Sequence, residues 1–409
     1  MSGGGDRERA DPRTLAVHAG SEPDPVTGAE GVLIARTTGF AFESAEQMEA
    51  AFRGRNDHYI YSRYGNPTLR ACEVKLAALE RAGEGYDAVV YSSGMAAISA
   101  ALLAVMQNGD HLVAQRELYG GTTGLLTTTL ARAGLACDFL PAADLADPAR
   151  LDAAAKPTTR ALYIESPVNP TLAVVDIEAV CRLAHERGWT VIIDNTFASP
   201  IVQRPLALGC DLVVHSATKY LGGHDDLTAG FVVASGEILA RLRRLRIDLG
   251  GCLDPEAGWL LARSMQTVAL RVAAQGETAM ALARHFAAHR LVGRVWYPGL
   301  PEHPGHDIAA RQMRGFGGMV AFELRADESA AARVAARFVK SLRMIRLVPT
   351  LGGVCTTIVI PAISSHINLT REQRREMGVT DGLLRLSAGI EAVPDLTADL
   401  DAAMEAAVQ

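Results

Sequence analysis

The sequence predicts an α/β protein, with a large domain on a mainly parallel, doubly wound sheet and a smaller α/β C-terminal domain. Three observations carry that expectation. Short β-branched runs recur at 111–114, 161–164, 191–193, 212–214 and 231–234. Amphipathic helical stretches, notably 177–187, separate several of them, as crossover helices separate parallel strands. From about Met319 the alternation restarts on a smaller scale, beyond the turn-rich cluster Tyr297-Pro298-Gly299-Leu300-Pro301. A chain of 409 residues exceeds one simple core. The expected division is an N-terminal arm over 1–60, a large domain over 61–257 and a C-terminal domain over 258–409.

Composition narrows the class. The 46 acidic and 40 basic residues are interspersed, and no basic tract offers a footprint for a phosphate backbone, so nucleic acid is not an expected partner. An apolar share of 49% with 21% charge suits a packed globular chain. The six cysteines are scattered without a C-x-x-C pair, which suits reduced thiols in a cytoplasm better than disulfides or structural zinc. Met1 to Arg9 has no apolar core of a signal peptide, and no apolar run reaches eighteen residues, so neither secretion nor a membrane is expected.

In chain order, residues 1–60 carry Gly, Pro and charge with little periodicity and read as an arm packed on a partner. At Tyr61-Ser62-Arg63-Tyr64-Gly65-Asn66-Pro67-Thr68 the Asn-Pro pair breaks the chain, and Thr68 is the expected cap of a helix over 69–79. A strand at 88–91 runs into Ser92-Ser93-Gly94-Met95 and a helix over 96–106. Strand, small-residue turn and helix start aim free N–H groups at an anion, although many such turns bind nothing. Tyr119 lies on a Gly-rich loop, able to lie flat on an aromatic ligand or to pack in a core. Glu165-Ser166-Pro167-Val168-Asn169-Pro170 is a stiff loop at a strand end. Helices are expected over 237–248 and 255–290. The C-terminal domain should then hold a strand near 319, a helix over 330–341, strands over 345–349, 357–360 and 383–387, and a last helix.

The chemistry centres on two strand ends. The run Val213-Val214-His215-Ser216-Ala217-Thr218-Lys219 delivers an amine to one, and Thr190-Val191-Ile192-Ile193-Asp194 delivers an acid to another. Ligands of open α/β sheets bind at the carboxyl ends of the strands, so Lys219 and Asp194 can meet on one ligand. Alone, Lys219 also reads as a solvated lysine and Asp194 as a helix cap. Together they provide what pyridoxal 5'-phosphate (PLP) needs, a lysine for a Schiff base and an acid for the pyridinium nitrogen. The spacing of His215, His224, Asp225 and Asp226 matches no familiar metal site.

With these motifs the sequence resembles, from about Thr14 onward, the fold-type I PLP enzymes of cysteine and methionine metabolism, among them cystathionine γ-synthase, cystathionine γ-lyase and methionine γ-lyase. The resemblance implies an aspartate aminotransferase-like fold and a PLP cofactor. It places the Schiff base on Lys219, the pyridinium partner at Asp194, the stacking and proton-exchanging tyrosine at Tyr119 and a phenolate neighbour at Asn169, with Glu165 nearby. Ser93, Gly94, Met95, Ser216 and Thr218 would cup the phosphate. Tyr61 and Arg63 would reach the phosphate of a neighbouring subunit, which implies a dimer with shared sites, in this family usually paired into a homotetramer. Arg385 would clamp the substrate carboxylate, with Thr350 where the family usually carries Ser. The implied reaction is γ-elimination or γ-replacement on an amino acid with a γ leaving group, a sulfur amino acid, a homoserine ester or an unusual γ-substituted analogue, through a Lys219 aldimine and a β,γ-unsaturated ketimine. The alternatives are β-elimination or a non-catalytic relative of the same fold.

The departures from the family pattern fall on the substrate side. Ala35 and Arg36 replace the usual aromatic and polar pair, Cys355-Thr356 stands for Glu-Ser, Gly121 occupies a position where methionine γ-lyases tend to carry Cys, and Asp225 replaces a Ser. Arg36 and Cys355 are therefore added to the expected substrate residues, and a retained cofactor site with an altered substrate is weighed against neutral drift.

Overall fold

The structure, a computed structural model, describes residues 10–408. Met1 to Arg9, the start of the expected arm, lie outside the described residues. The larger sheet holds seven strands: β1 (Tyr86–Tyr91), β2 (His111–Gln115), β3 (Ala136–Leu140), β4 (Thr159–Glu165), β5 (Thr190–Asp194), β6 (Leu212–Ser216) and β7 (Gly230–Ser235). Their order is β1-β7-β6-β5-β4-β2-β3. Only β7 runs antiparallel to its neighbours, so the sheet is mainly parallel, as expected. Apolar layers cover both faces, and alternate residues of one strand enter different layers: Ile193 and Val213 one, Ile192 and Val214 the other. That is why these strands read as continuous apolar runs.

The smaller sheet holds β8 (Val292–Trp296), β9 (Met319–Leu324), β10 (Arg346–Leu347), β11 (Thr357–Val359) and β12 (Leu384–Ser387), in the order β10-β11-β12-β9-β8. Its core includes Phe286, Phe322 and Phe338, with Phe286 stacked on Phe322 at 4.2 Å.

Several expected elements are corrected. The helix expected over 69–79 is Pro67–Leu79, and its cap is Asn66, not Thr68. Proline needs no N–H partner at the first helical position, so the helix starts there. Thr68 instead bonds back to the arm, donating to the Leu33 carbonyl and accepting from Ala35 N–H. The helix expected over 255–290 is two, Pro255–Met265 and Val268–Ala288. At the break the buried Arg271 guanidinium takes the Ser264 carbonyl that a continuous helix would offer to residue 268, and also holds the carbonyls of Tyr220 and Leu221. The strand expected over 345–349 shrinks to β10. Strands β3 and β8 were not expected, because β3 is a half-exposed edge with Asp at its centre and β8 carries an exposed Arg294. Within the arm lie two short helices, Pro12–His18 and Ala45–Phe52, the latter capped by Ser44.

Candidate active site

The parallel strands β4, β5 and β6 end side by side, with Glu165 paired to Asp194 and Asp194 to Val214 in register. Their ends form the floor of a cavity of about 730 Å³. Opposite stands the segment from Pro349 to Arg385, so the cavity lies between the two sheets. It is roomy enough for a cofactor with an amino acid.

Ser93 caps the helix Gly94–Val105, its Oγ accepting from Ala96 N–H at 3.1 Å. The first-turn N–H groups of Gly94 and Met95 have no partner within the helix, and both residues line the cavity. Gly94 must lack a side chain, since a Cβ there would sit 2.8 Å from Ser216 Cβ. The close approach brings Ser216 and Thr218, also lining residues, beside the helix N-terminus. Hydroxyls, free N–H groups and a positive dipole end suit a phosphate.

Lys219 lies three residues beyond β6, and its Nζ donates to Thr350 Oγ1 at 3.2 Å. Burial lowers its pKa, the Arg385 charge lowers it further, and Asp225 opposes both. Arg385, on β12, is buried: Nη1 donates to Asn169 Oδ1 at 2.7 Å, Nη2 to the Thr350 carbonyl at 3.4 Å, and the guanidinium lies 5.9 Å from the Phe197 ring centre. Its Nε has no partner, leaving donor capacity for a carboxylate. Burial brings its pKa down to about 10. Asp194 Oδ1 accepts from Thr196 N–H at 2.9 Å. Burial raises its pKa against the Thr196 hydrogen bonds and the His215 charge, so a cation brought to Asp194 would favour its ionised form. Lysine, buried acid and anion cup fit PLP: Lys219 would hold it, Asp194 would face its ring nitrogen and the Gly94 turn would take its phosphate.

Tyr119 opens the short helix Gly120–Gly124 and is 45% exposed, lining the cavity. Its N–H donates to both oxygens of Glu165, each at 3.0 Å. Asn169 lines the cavity beside Arg385. The chain does not bring Tyr61, Arg63, Arg36 and Cys355 into the cavity lining. Tyr61 is 44% exposed, and Arg63 donates to the Ile247 carbonyl at 2.5 Å while lying 5.1 Å from the Tyr64 ring centre. Arg36 pairs with Glu256 on the surface at 3.5 Å, and Cys355 is exposed. Lining residues that the sequence reading missed include Thr196, Phe197, Thr228, Leu351, Val359 and Ile363. Thr196 and Phe197 were readable, because they follow Asp194 directly. The last three carry no motif and arrive from the second sheet's side of the cavity.

Three comparisons show what the chain is similar to. The family model described as Cys/Met metabolism PLP-dependent enzyme matches residues 13–405. Cystathionine beta-lyase of Lactococcus lactis subsp. cremoris (strain MG1363) is 40% identical over 394 residues, covering 96% of this chain and 98% of that protein. Cystathionine gamma-synthase of Mycobacterium tuberculosis (strain CDC 1551 / Oshkosh) is 42% identical over 394 residues, 96% of each. The crystal structure of cystathionine gamma-lyase from Lactobacillus plantarum complexed with L-serine superimposes with a TM-score of 0.89 at 38% identity, covering 98% of this chain and all of that one. Among the described residues no helix is long and apolar enough to cross a membrane.

Proposed function

The chain belongs to the Cys/Met metabolism PLP-dependent enzyme family, and on that premise we propose that it eliminates or replaces the γ substituent of a sulfur amino acid, a homoserine ester or an unusual γ-substituted analogue in the cavity between the two sheets. The observation that carries the reading is the convergence of Lys219, Asp194 and Arg385, from three separate parts of the chain, on one cavity. Arg385, oriented by Asn169, binds the substrate carboxylate with its spare donors. This fixes Cα near Lys219. The Lys219 amine, its pKa lowered by burial, takes the Cα proton. Bound PLP supplies the electron sink for the charge left at Cα. Tyr119, at the cavity mouth, exchanges a proton with the departing group.

Tyr61 and Arg63 are exposed or half-exposed and lie outside their own chain's cavity, which supports a dimer in which they serve the neighbouring site; the proposed assembly is two such dimers in a tetramer. The six thiols, none in a disulfide, support a cytoplasmic enzyme. The test is incubation of the PLP-loaded protein with sulfur amino acids and homoserine esters, with and without cysteine, following products by mass spectrometry. Formation of 2-oxobutyrate, diverted to a thioether by cysteine, is expected. Pyruvate from cystathionine or cysteine instead would establish β-elimination, the reaction for which the Lactococcus lactis relative is named. A protein that takes up no PLP, or gains no mass at Lys219 after borohydride treatment, would defeat the reading.

A further inference from the structure

Glu165 is the buried acid of the cavity floor for which the reaction above has no use. It is 6% exposed, and among the described residues no Lys, Arg or His lies within ion-pair distance of it. Its carboxyl oxygens both take one donor, the Tyr119 N–H. Its neighbour in register on β5 is Asp194. Paired residues of adjacent parallel strands point to the same face, about 5 Å apart. Two buried acids so placed, with no basic side chain among the described residues within ion-pair distance of Glu165, cannot both be ionised cheaply. We propose that Glu165 is a positioning residue that works as an uncharged acid, seating Tyr119 and leaving Asp194 as the one anion of the pair.

The surroundings support this assignment of the charge. The groups facing Glu165 are Asp194 from β5, Tyr163 from its own strand and the Tyr119 backbone. Lys219 and Arg385 also line the cavity, but their contacts are Thr350 and Asn169. Burial first and the Asp194 charge second push the Glu165 pKa well up, against the Tyr119 N–H bond. Burial raises the Asp194 pKa too, but there the Thr196 hydrogen bonds and the His215 charge oppose it, whereas Glu165 has only the Tyr119 N–H on that side. The Tyr119 ring lies over Gly121, where a Cβ would fall 2.4 Å from Tyr119 Cε1, so this placement of the ring needs a glycine there. The backbone bond to Glu165 thus sets where the tyrosine starts, and the bare glycine leaves room for its ring.

The charge assignment needs no cofactor to test, whereas the seating role rests on the functional reading of Tyr119. Infrared difference spectra of the wild type against Glu165→Gln near neutral pH, with and without PLP, are expected to lose the carbonyl stretch of a protonated carboxylic acid. Loss of ionised carboxylate bands alone would overturn the charge assignment, whether or not the protein proves to bind PLP. For the seating role, Glu165→Gln, which keeps an acceptor for the Tyr119 N–H, is expected to hold kcat within about threefold. Glu165→Leu, of similar size without the acceptor, is expected to lose about tenfold in kcat, the equivalent of one hydrogen bond of about 1.4 kcal/mol. A Leu variant that melts with the wild type and keeps full kcat, or a Gln variant as impaired as Leu, would overturn it. Should the Leu variant not fold, Glu165→Met, which also lacks the acceptor, takes its place in the kcat comparison, and the Gln spectrum decides the charge assignment.

Discussion

Lys219 works between two charges of opposite sign, and its behaviour with pH follows from which of them is nearer in effect. Burial and Arg385 hold the ammonium form down while Asp225 favours it. A base must be neutral to take a proton, so a lowered pKa lets the amine act at a lower pH than an exposed lysine would allow. Removing the Arg385 charge should raise the Lys219 pKa and move the rising limb of kcat toward higher pH. Arg385→Leu is therefore expected to shift that limb upward while also raising KM, because the carboxylate clamp goes with the charge. A pH profile of kcat for the variant that overlays the wild type would refute the coupling. Lys219→Ala, lacking the base, should lose at least about 10³-fold in kcat while keeping its fold, as stopped assays and far-UV circular dichroism can check.

At the scale of elements, the anion cup depends on how closely the helix Gly94–Val105 approaches the end of β6. The Gly94→Ala methyl would meet Ser216 at 2.8 Å, so helix or strand must give way. Overpacking of this kind costs about 1–3 kcal/mol. The expected result is a lower melting temperature and a PLP affinity weakened by about tenfold or more, measured by absorbance titration. The arm is fastened in another way. Lys75, buried on the helix Pro67–Leu79, donates to the Ala16 carbonyl at 2.6 Å and to Ser21 Oγ at 3.2 Å. Burial lowers its pKa from 10.5 to about 8. Between those values the unfolded chain holds a proton that the folded chain has released, so Lys75 makes stability rise with pH across that window and adds no slope well below it. Lys75→Met should flatten the rise, as denaturant midpoints at pH 8 and pH 10 would show.

For the whole molecule, the proposal that Tyr61 and Arg63 serve a neighbouring site has a direct consequence. Arg63→Ala and Lys219→Ala proteins, each impaired alone, should recover about a quarter of wild-type activity when unfolded and refolded together in equal amounts, because half the dimers are hybrid and each hybrid has one intact site. No recovery in hybrids shown to form would place both residues in the same site. The sequence by itself determined a good deal of this protein. Buried parallel strands advertise themselves as apolar runs, and polar groups at their ends stand next to those runs, so β4, β5, β6 and the placement of Asp194 and Lys219 on one cavity were legible. So was the helix start at Ser93, where small residues follow a strand. Tertiary structure alone decided the rest. The break at Thr267 exists because Arg271 reaches the turn after Lys219, and Asn66 displaced Thr68 as a cap because Thr68 is held by the arm. The wall of Leu351, Val359 and Ile363 carries no local pattern, since it lines the cavity only once the second sheet has packed against the first. Periodicity and strand ends are local properties of a chain, whereas contacts such as Arg271 with Tyr220 and Thr68 with Leu33, 51 and 35 positions apart, are fixed by packing.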